Sequence, residues 1–333
     1  MERNLLVDRL KGYACFLVLF GHVIMGIRVA GIEIPAFFWG LEKFIWSFHV
    51  ALFLFLSGVV YRLTGEWRGK QTKLRFVRYK LICLGIPYVV FSAVYVLINS
   101  FVGQANTQFA PRDILLIWKA PVAQYWFLYA LFFLFCIWTA FSGYLKNWQI
   151  ALGVVLVGYL APFVGISFGC FEVVFYSALA FGAGTFVDIS LLTKRAAPVK
   201  WLGVLAHVAT GVVFVMLDMI EAPGAKEFMI LFGICASIMF ISLLQECKPV
   251  SRFLDFMNRY SFQTYLLHTI FTAGIRIVLV RIGVCQWWIH VLIGTAFGIA
   301  CSVLAAEVAK KVCWLNFFFF PTKACKQRKE GRV

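Results

Sequence analysis

Ten stretches of this chain are apolar over roughly the length that crosses a bilayer, at residues 12 to 30, 44 to 62, 77 to 100, 125 to 142, 150 to 164, 171 to 187, 201 to 219, 227 to 245, 260 to 280 and 287 to 309. A continuous run of about 18 apolar residues is what hydrocarbon some 30 Å thick accepts as a helix. The expected fold is therefore all-α, a polytopic membrane protein with about ten transmembrane helices. Composition agrees: 62% of residues are hydrophobic and 14% are charged, where a soluble domain carries about 25% charge. The fifth run is the least regular. Its Gly158-Tyr159-Leu160-Ala161-Pro162 ending marks a broken or short span, because proline interrupts the helical hydrogen-bond ladder.

Basic residues orient such a chain, since cytoplasmic loops collect Lys and Arg. With the N-terminus inside, the inner segments hold Arg3, Arg9 and Lys11, the loop from Arg62 to Lys80, Lys146, Lys194, Arg195 and Lys200, then Lys248, Arg252 and Arg259, and the run from Lys310 to Arg332. These carry 24 of the 31 basic residues, so both termini are expected to be cytoplasmic. The formal net charge of +16 then reflects topology and attraction to anionic membrane lipid, and no nucleic acid partner is expected, since no soluble domain remains to present a groove. The expected organisation is a transmembrane domain over residues 1–313 and a basic cytoplasmic tail over 314–333. No cleavable signal peptide is expected, because the first apolar run continues to spanning length. The ten cysteines lie scattered in apolar runs without Cys-x-x-Cys pairs and read as small buried hydrophobes, so no metal site is expected.

Residues that lipid rejects point to function. Lys11 and His22 are eleven residues apart on the first span. At about 100° per residue that is three turns with roughly 20° left over, so both face one way, with a rise of about 16 Å. A helix beginning near Lys11 holds a cation at the membrane surface and an imidazole near the midplane on one stripe. Singly, Lys11 is a snorkelling anchor and His22 a polar link to a neighbouring helix; together they describe a reaction path. His49 opens the second helix ahead of a small Ser57-Gly58 pair suited to helix contact, and His207 and His290 have no polar company in the sequence and are taken as structural. Glu172, at the outer start of the sixth span, is either interfacial or a ligand for an acceptor hydroxyl. Glu307 and Lys310, three apart, pair most simply with each other. The basic loop up to Lys80 satisfies the orientation rule without further purpose, yet Arg75 and Arg78 share one helix face, and two guanidinium groups there suit phosphate oxygens.

These residues carry a resemblance. Asp8-Arg9-Leu10-Lys11-Gly12 leading to His22, the Phe-rich run Leu52-Phe53-Leu54-Phe55-Leu56-Ser57-Gly58, Arg75-Phe76-Val77-Arg78 with Pro87 beyond, Trp126-Phe127-Leu128 and Tyr265-Leu266-Leu267-His268 stand in an order and spacing that resembles the acyltransferase-3 family of integral membrane O-acyltransferases. The first of these is similar to the family's Arg-or-Lys, ten residues, His signature, with Lys11 a point charge where Arg is commoner. The resemblance implies an acyl-CoA donor, an essential histidine, and transfer of acetyl or another short acyl group to a hydroxyl, typically on a sugar of a surface glycan. It implies residence in the cell membrane, and it leaves room for a partner protein or a homo-oligomer.

On that reading His22 is the catalytic base, because an imidazole with a reference pKa of about 6.5 accepts a proton from a hydroxyl near neutral pH. Lys11, Arg75 and Arg78 hold the phosphates of the acyl-CoA while its pantetheine arm reaches inward, and Glu172, Trp126 and His268 meet the acceptor. An acyl-histidine intermediate is the variant route. The competing class is a transporter, since intramembrane His and Glu also relay protons, although Lys11 and His22 have no counterpart in the second half of the chain.

Overall fold

The computed structural model describes residues 4–64, 72–102 and 109–321. Arg3, the part of the basic loop at 65–71 with Arg68 and Lys70, residues 103–108 of the loop between the third and fourth spans, and residues 322–333 of the basic tail lie outside the described residues. The protein is all-α, with no strand among the described residues. Its helices are α1 (Leu5–Val29), α2 (Ala36–Trp46), α3 (His49–Thr64), α4 (Lys73–Lys80), α5 (Ile86–Phe101), α6 (Trp126–Phe141), α7 (Asn147–Leu160), α8 (Glu172–Phe186), α9 (Ser190–Thr193), α10 (Ala197–Met216), α11 (Ala225–Leu243), α12 (Lys248–Arg259), α13 (Ser261–Arg281), α14 (Trp287–Lys311) and α15 (Cys313–Phe319). Ten helical segments of the described residues are long and apolar enough to cross a membrane, and they match the ten expected runs to within a few residues at most ends.

Three departures and one expected interruption have local causes. The first helix begins at Leu5, because the Asn4 side chain caps it by accepting the Val7 N–H at 3.2 Å and Asp8 sits in its first turn, both favourable at the positive end of a helix. Lys11 thus stands one and a half turns inside the helix instead of at its start. The second span is broken at Ser47-Phe48 into α2 and α3, where the Ser47 hydroxyl donates to the Phe44 carbonyl at 2.7 Å and offers the backbone an alternative to helical continuation. The third span contains a π-helical turn over Leu81–Gly85, immediately ahead of Pro87, whose missing N–H relaxes the ordinary ladder. The fifth span ends in a 3-10 turn, Ala161–Val164, at Pro162, the short, interrupted form expected there.

The chain forms two compact units, one of Met1–Ser57 with Val187–Val303, the other of Gly58–Phe186 with Leu304–Val333. In the first, α1 is the central element. Its buried positions, among them Leu6, Val7, Leu10, Ala14, Val18, Leu19 and Ile24, run around the whole helix, as they must for a helix enclosed on all sides. It packs on α2, α11, α12 and α13. The amphipathic α12 turns Ser251, Leu254 and Met257 inward and leaves Lys248, Arg252 and Arg259 exposed. It is pinned to α1 by Arg9, which donates to Asp255 at 3.2 Å and to the Gln245 carbonyl at 3.2 Å.

In the second unit α6 packs on α4 and α8, and α7 lies against α8. The contact is aromatic: Phe181 meets Trp138 edge-on at 5.0 Å and Phe135 at 5.3 Å between ring centres, an arrangement the ring quadrupoles favour. Gly58 serves helix contact there, as its place in the sequence suggests, since a Cβ at that position would fall 2.1 Å from the Phe181 carbonyl oxygen. Helix α15, with Phe319 against Phe91 of α5 at 5.3 Å, begins where the basic tail was expected, so the first residues of that segment are folded onto the unit. Glu307 and Lys310 form the expected ion pair. Among the described residues, Cys15 and Cys83 are buried thiols and Cys247 and Cys285 exposed ones.

Candidate active site

The first unit gathers three histidines from three helices. His22, on α1, has its ring centre 4.9 Å from that of His268 on α13 and 5.2 Å from that of Trp46 at the end of α2. Trp46 in turn meets His49, the first residue of α3, edge-on at 5.4 Å. The break at Ser47-Phe48 lies between them, so Trp46 closes α2 and His49 opens α3.

Each imidazole is constrained differently. His268 is fully buried, and its Nδ1 lies 2.8 Å from the Thr264 carbonyl oxygen and 3.0 Å from that of Tyr265. Carbonyls only accept, so Nδ1 donates, and the neutral ring carries its lone pair on Nε2. That Nε2 is buried with no hydrogen-bond partner. His49 likewise donates from Nδ1 to the Ile45 carbonyl at 2.8 Å. His22 differs: its Nδ1 is buried without a partner, while the residue as a whole keeps accessible surface. Of the candidate residues in this unit, His22 therefore combines residual accessible surface with a ring nitrogen held inside.

The C-terminal half of α13 adds a feature the sequence alone left unremarked. Thr272 and Arg276 are buried on the same stripe as His268, and a Cβ on Gly26 of α1 would fall 2.2 Å from Arg276 Nη1. Gly26, one turn beyond His22, is thus where the guanidinium lies against α1. At the end of the same helix Arg28 donates to both carboxylate oxygens of Glu42 on α2, at 3.1 and 3.0 Å.

The sequence match now has its setting. The acyltransferase domain model matches residues 4–307. The chain belongs to the acyltransferase-3 family. No curated protein and no solved structure matches it. Family membership makes the protein a membrane acyltransferase and does not favour the transporter reading.

The remaining candidate residues of this acyltransferase are distributed as follows. Lys11 lies three turns from His22 on α1 and is partly buried. Arg75 and Arg78 belong to the second unit, both exposed on α4 with Phe76 buried between them. Trp126 opens α6 and touches Phe127 at 6.4 Å between ring centres. Glu172 opens α8 and accepts a hydrogen bond from the Ser167 hydroxyl at 2.9 Å. The structure thus brings His22 and His268 of the expected residues into contact and adds Trp46 and His49 to them. Sequence reasoning passed over Trp46, which one signal marks: a tryptophan and a histidine three apart around a serine inside an apolar run. Among the described residues no group of three or more His, Cys, Asp or Glu side chains is placed to hold a metal ion.

Proposed function

We propose that this membrane acyltransferase moves an acetyl or other short acyl group from cytosolic acyl-CoA to a hydroxyl of a sugar or surface-glycan acceptor, with His22 as general base. The observation that carries the reading is the state of the His22 side chain: accessible surface on the residue, one ring nitrogen enclosed, and a second imidazole beside it. In direct transfer a ring nitrogen of His22 takes the acceptor's hydroxyl proton as the oxygen attacks the thioester carbonyl. The carbon–sulfur bond then breaks, and the departing thiolate receives the proton. General-base help of this kind contributes about 10²- to 10⁴-fold.

The supporting parts are proposed from chemistry and family resemblance. Arg75 and Arg78 present guanidinium groups that suit the donor's phosphates, with Lys11 as a further cation. Trp126 and Glu172 belong to acceptor recognition, and His268 to the reacting centre beside His22. Both termini lie in the cytoplasm and the protein resides in the cell membrane, in keeping with the distribution of basic residues.

The deciding experiment is acyl transfer by purified protein in detergent, from radiolabelled acetyl-CoA to envelope glycans. His22→Ala should remove activity by at least a hundredfold while the thermal unfolding profile and acetyl-CoA binding stay as in the parent protein. Undiminished transfer by that variant excludes His22 as the base.

A further inference from the structure

A general base works at one ring nitrogen, and which one is decided by what the other nitrogen bonds. His22 meets this requirement only in part within its own helix: Nδ1 is buried and unpartnered, so a hydrogen placed there has no acceptor within reach, and a lone pair there has no donor. Burying either costs about 1–3 kcal/mol. A second buried orphan stands beside it. His268 spends its single N–H on the carbonyls of Thr264 and Tyr265, which fixes its tautomer and turns its Nε2 into an acceptor. That acceptor is also buried and unpartnered.

The two rings are 4.9 Å apart between centres and inclined at 56°. One donor and one acceptor are missing from this contact, and the fixed tautomer of His268 settles which ring supplies which. We infer that His268 is a positioning residue that accepts a hydrogen bond from Nδ1–H of His22 through its Nε2, so that the lone pair of His22 stands on Nε2 and faces the acceptor hydroxyl.

The inference rests on the reading of His22 as the base and gives His268 a part other than the acceptor contact expected from the sequence. The bond needs the two nitrogens about 3 Å apart, with the ring centres already 4.9 Å apart, and such bonds commonly tighten only once substrate is bound. During the reaction the proton arrives on Nε2 of His22, and the resulting imidazolium keeps its Nδ1–H on His268. The fold supplies the order of the chain: helix carbonyls hold His268, His268 holds His22, and His22 meets the hydroxyl. Among the described residues no carboxylate bonds Nδ1 of His22, and in this arrangement the helix backbone is the ultimate anchor of the base, as a carboxylate is in a serine-hydrolase triad.

Two substitutions separate this part from plain space filling. In His268→Asn the amide nitrogen replaces Nδ1 and keeps the bonds to the carbonyls, but no acceptor remains at the place of Nε2. In His268→Gln the longer side chain carries its amide oxygen to that place. With acetyl-CoA as donor, kcat should fall about ten- to a hundredfold in His268→Asn, with KM for acetyl-CoA unchanged, and should return to within about threefold of the parent value in His268→Gln.

The second readout needs no activity. Nitrogen-15 NMR of the intact protein in nanodiscs, with His22 assigned from the loss of its signals in His22→Ala, should show Nδ1 protonated and Nε2 unprotonated in neutral parent His22, and a mixture of tautomers in His268→Asn. Parent His22 carrying its hydrogen on Nε2 overturns the inference, as does an equal loss of kcat in the Asn and Gln variants with the tautomer unmoved. Activity surviving in His22→Ala refutes the base assignment itself, and the tautomer shift still tells whether His268 orders His22.

Discussion

Arg28 grips Glu42 with two parallel hydrogen bonds, Nε to Oε2 at 3.1 Å and Nη2 to Oε1 at 3.0 Å, and so ties the last turn of α1 to the helix that ends in Trp46. The carboxylate is the better buried partner, at 10% side-chain exposure against 40% for the arginine.

Because the pair fixes α2 against α1, its loss should be felt at the histidines. Arg28→Lys keeps the charge but not the fork of donors. It is expected to cost about 1 kcal/mol or less in stability and to lower kcat/KM by a few-fold through looser placement of Trp46 beside His22. Differential scanning fluorimetry and steady-state acyl transfer measure the two effects. Unaltered kinetics in both Arg28→Lys and Glu42→Gln would show that α2 is held by apolar contacts alone.

The proposed orientation is open to chemical labelling at two exposed thiols. Cys247 lies between the eighth and ninth spans and Cys285 between the ninth and tenth. With both termini in the cytoplasm, a membrane-impermeant maleimide should label a single-cysteine variant retaining Cys285 in intact cells, and one retaining Cys247 only in inverted vesicles. The opposite pattern would reverse the topology and place the donor side elsewhere.

Asp218 follows the end of α10 with a left-handed backbone, φ 53°, and accepts from Lys43 Nζ at 2.7 Å. The hydrogen bond to that ammonium, with its charge, holds the carboxyl below its ordinary range. A depressed carboxylate stabilises the fold above the unfolded-state pKa, and the contribution disappears as pH falls through the lower folded-state value. Asp218→Asn, which tolerates the same backbone, should therefore lower the melting temperature slightly at neutral pH and not at strongly acidic pH. Salt should shrink the difference, because the pair is exposed. A gap that persists in acid would assign the effect to the loop backbone instead of the charge.

Donor docking on Arg75 and Arg78 makes a prediction about chemistry that neither residue touches directly in transfer. Replacing either with Ala should raise KM for acetyl-CoA about tenfold, as expected for the loss of a charge-assisted contact, while leaving turnover of acetyl-pantetheine, which lacks the nucleotide phosphates, unchanged. Equal losses with both donors would remove the arginines from phosphate binding.

Much of this architecture is written in short segments of the chain. Apolar runs long enough to span are local facts, and so is the facing of Lys11 and His22, because helical periodicity alone sets it. The pairing of Glu307 with Lys310 follows from their separation by three. Interruptions were less legible. The proline after the fifth span announced its 3-10 turn, whereas the break at Ser47-Phe48 and the π-helical turn at Leu81–Gly85 lie within sequences as apolar as any continuous helix, and hydropathy does not register where a ladder of hydrogen bonds changes step.

The sequence by itself determined which segments are helical, which are apolar enough to lie in a bilayer, and which polar side chains share a helix face. It also carried the signature of the acyltransferase-3 family, because that signature is a spacing along one strand of chain. Only the tertiary structure decided that His268 meets His22 across 246 positions of sequence, that Trp46 joins them, and that Gly26 receives Arg276. The physical reason is that periodicity tells a helix which face to bury but not against what. The partner is chosen by close fit between surfaces, and the elements that provide those surfaces, α1, α2 and α13, are encoded far apart.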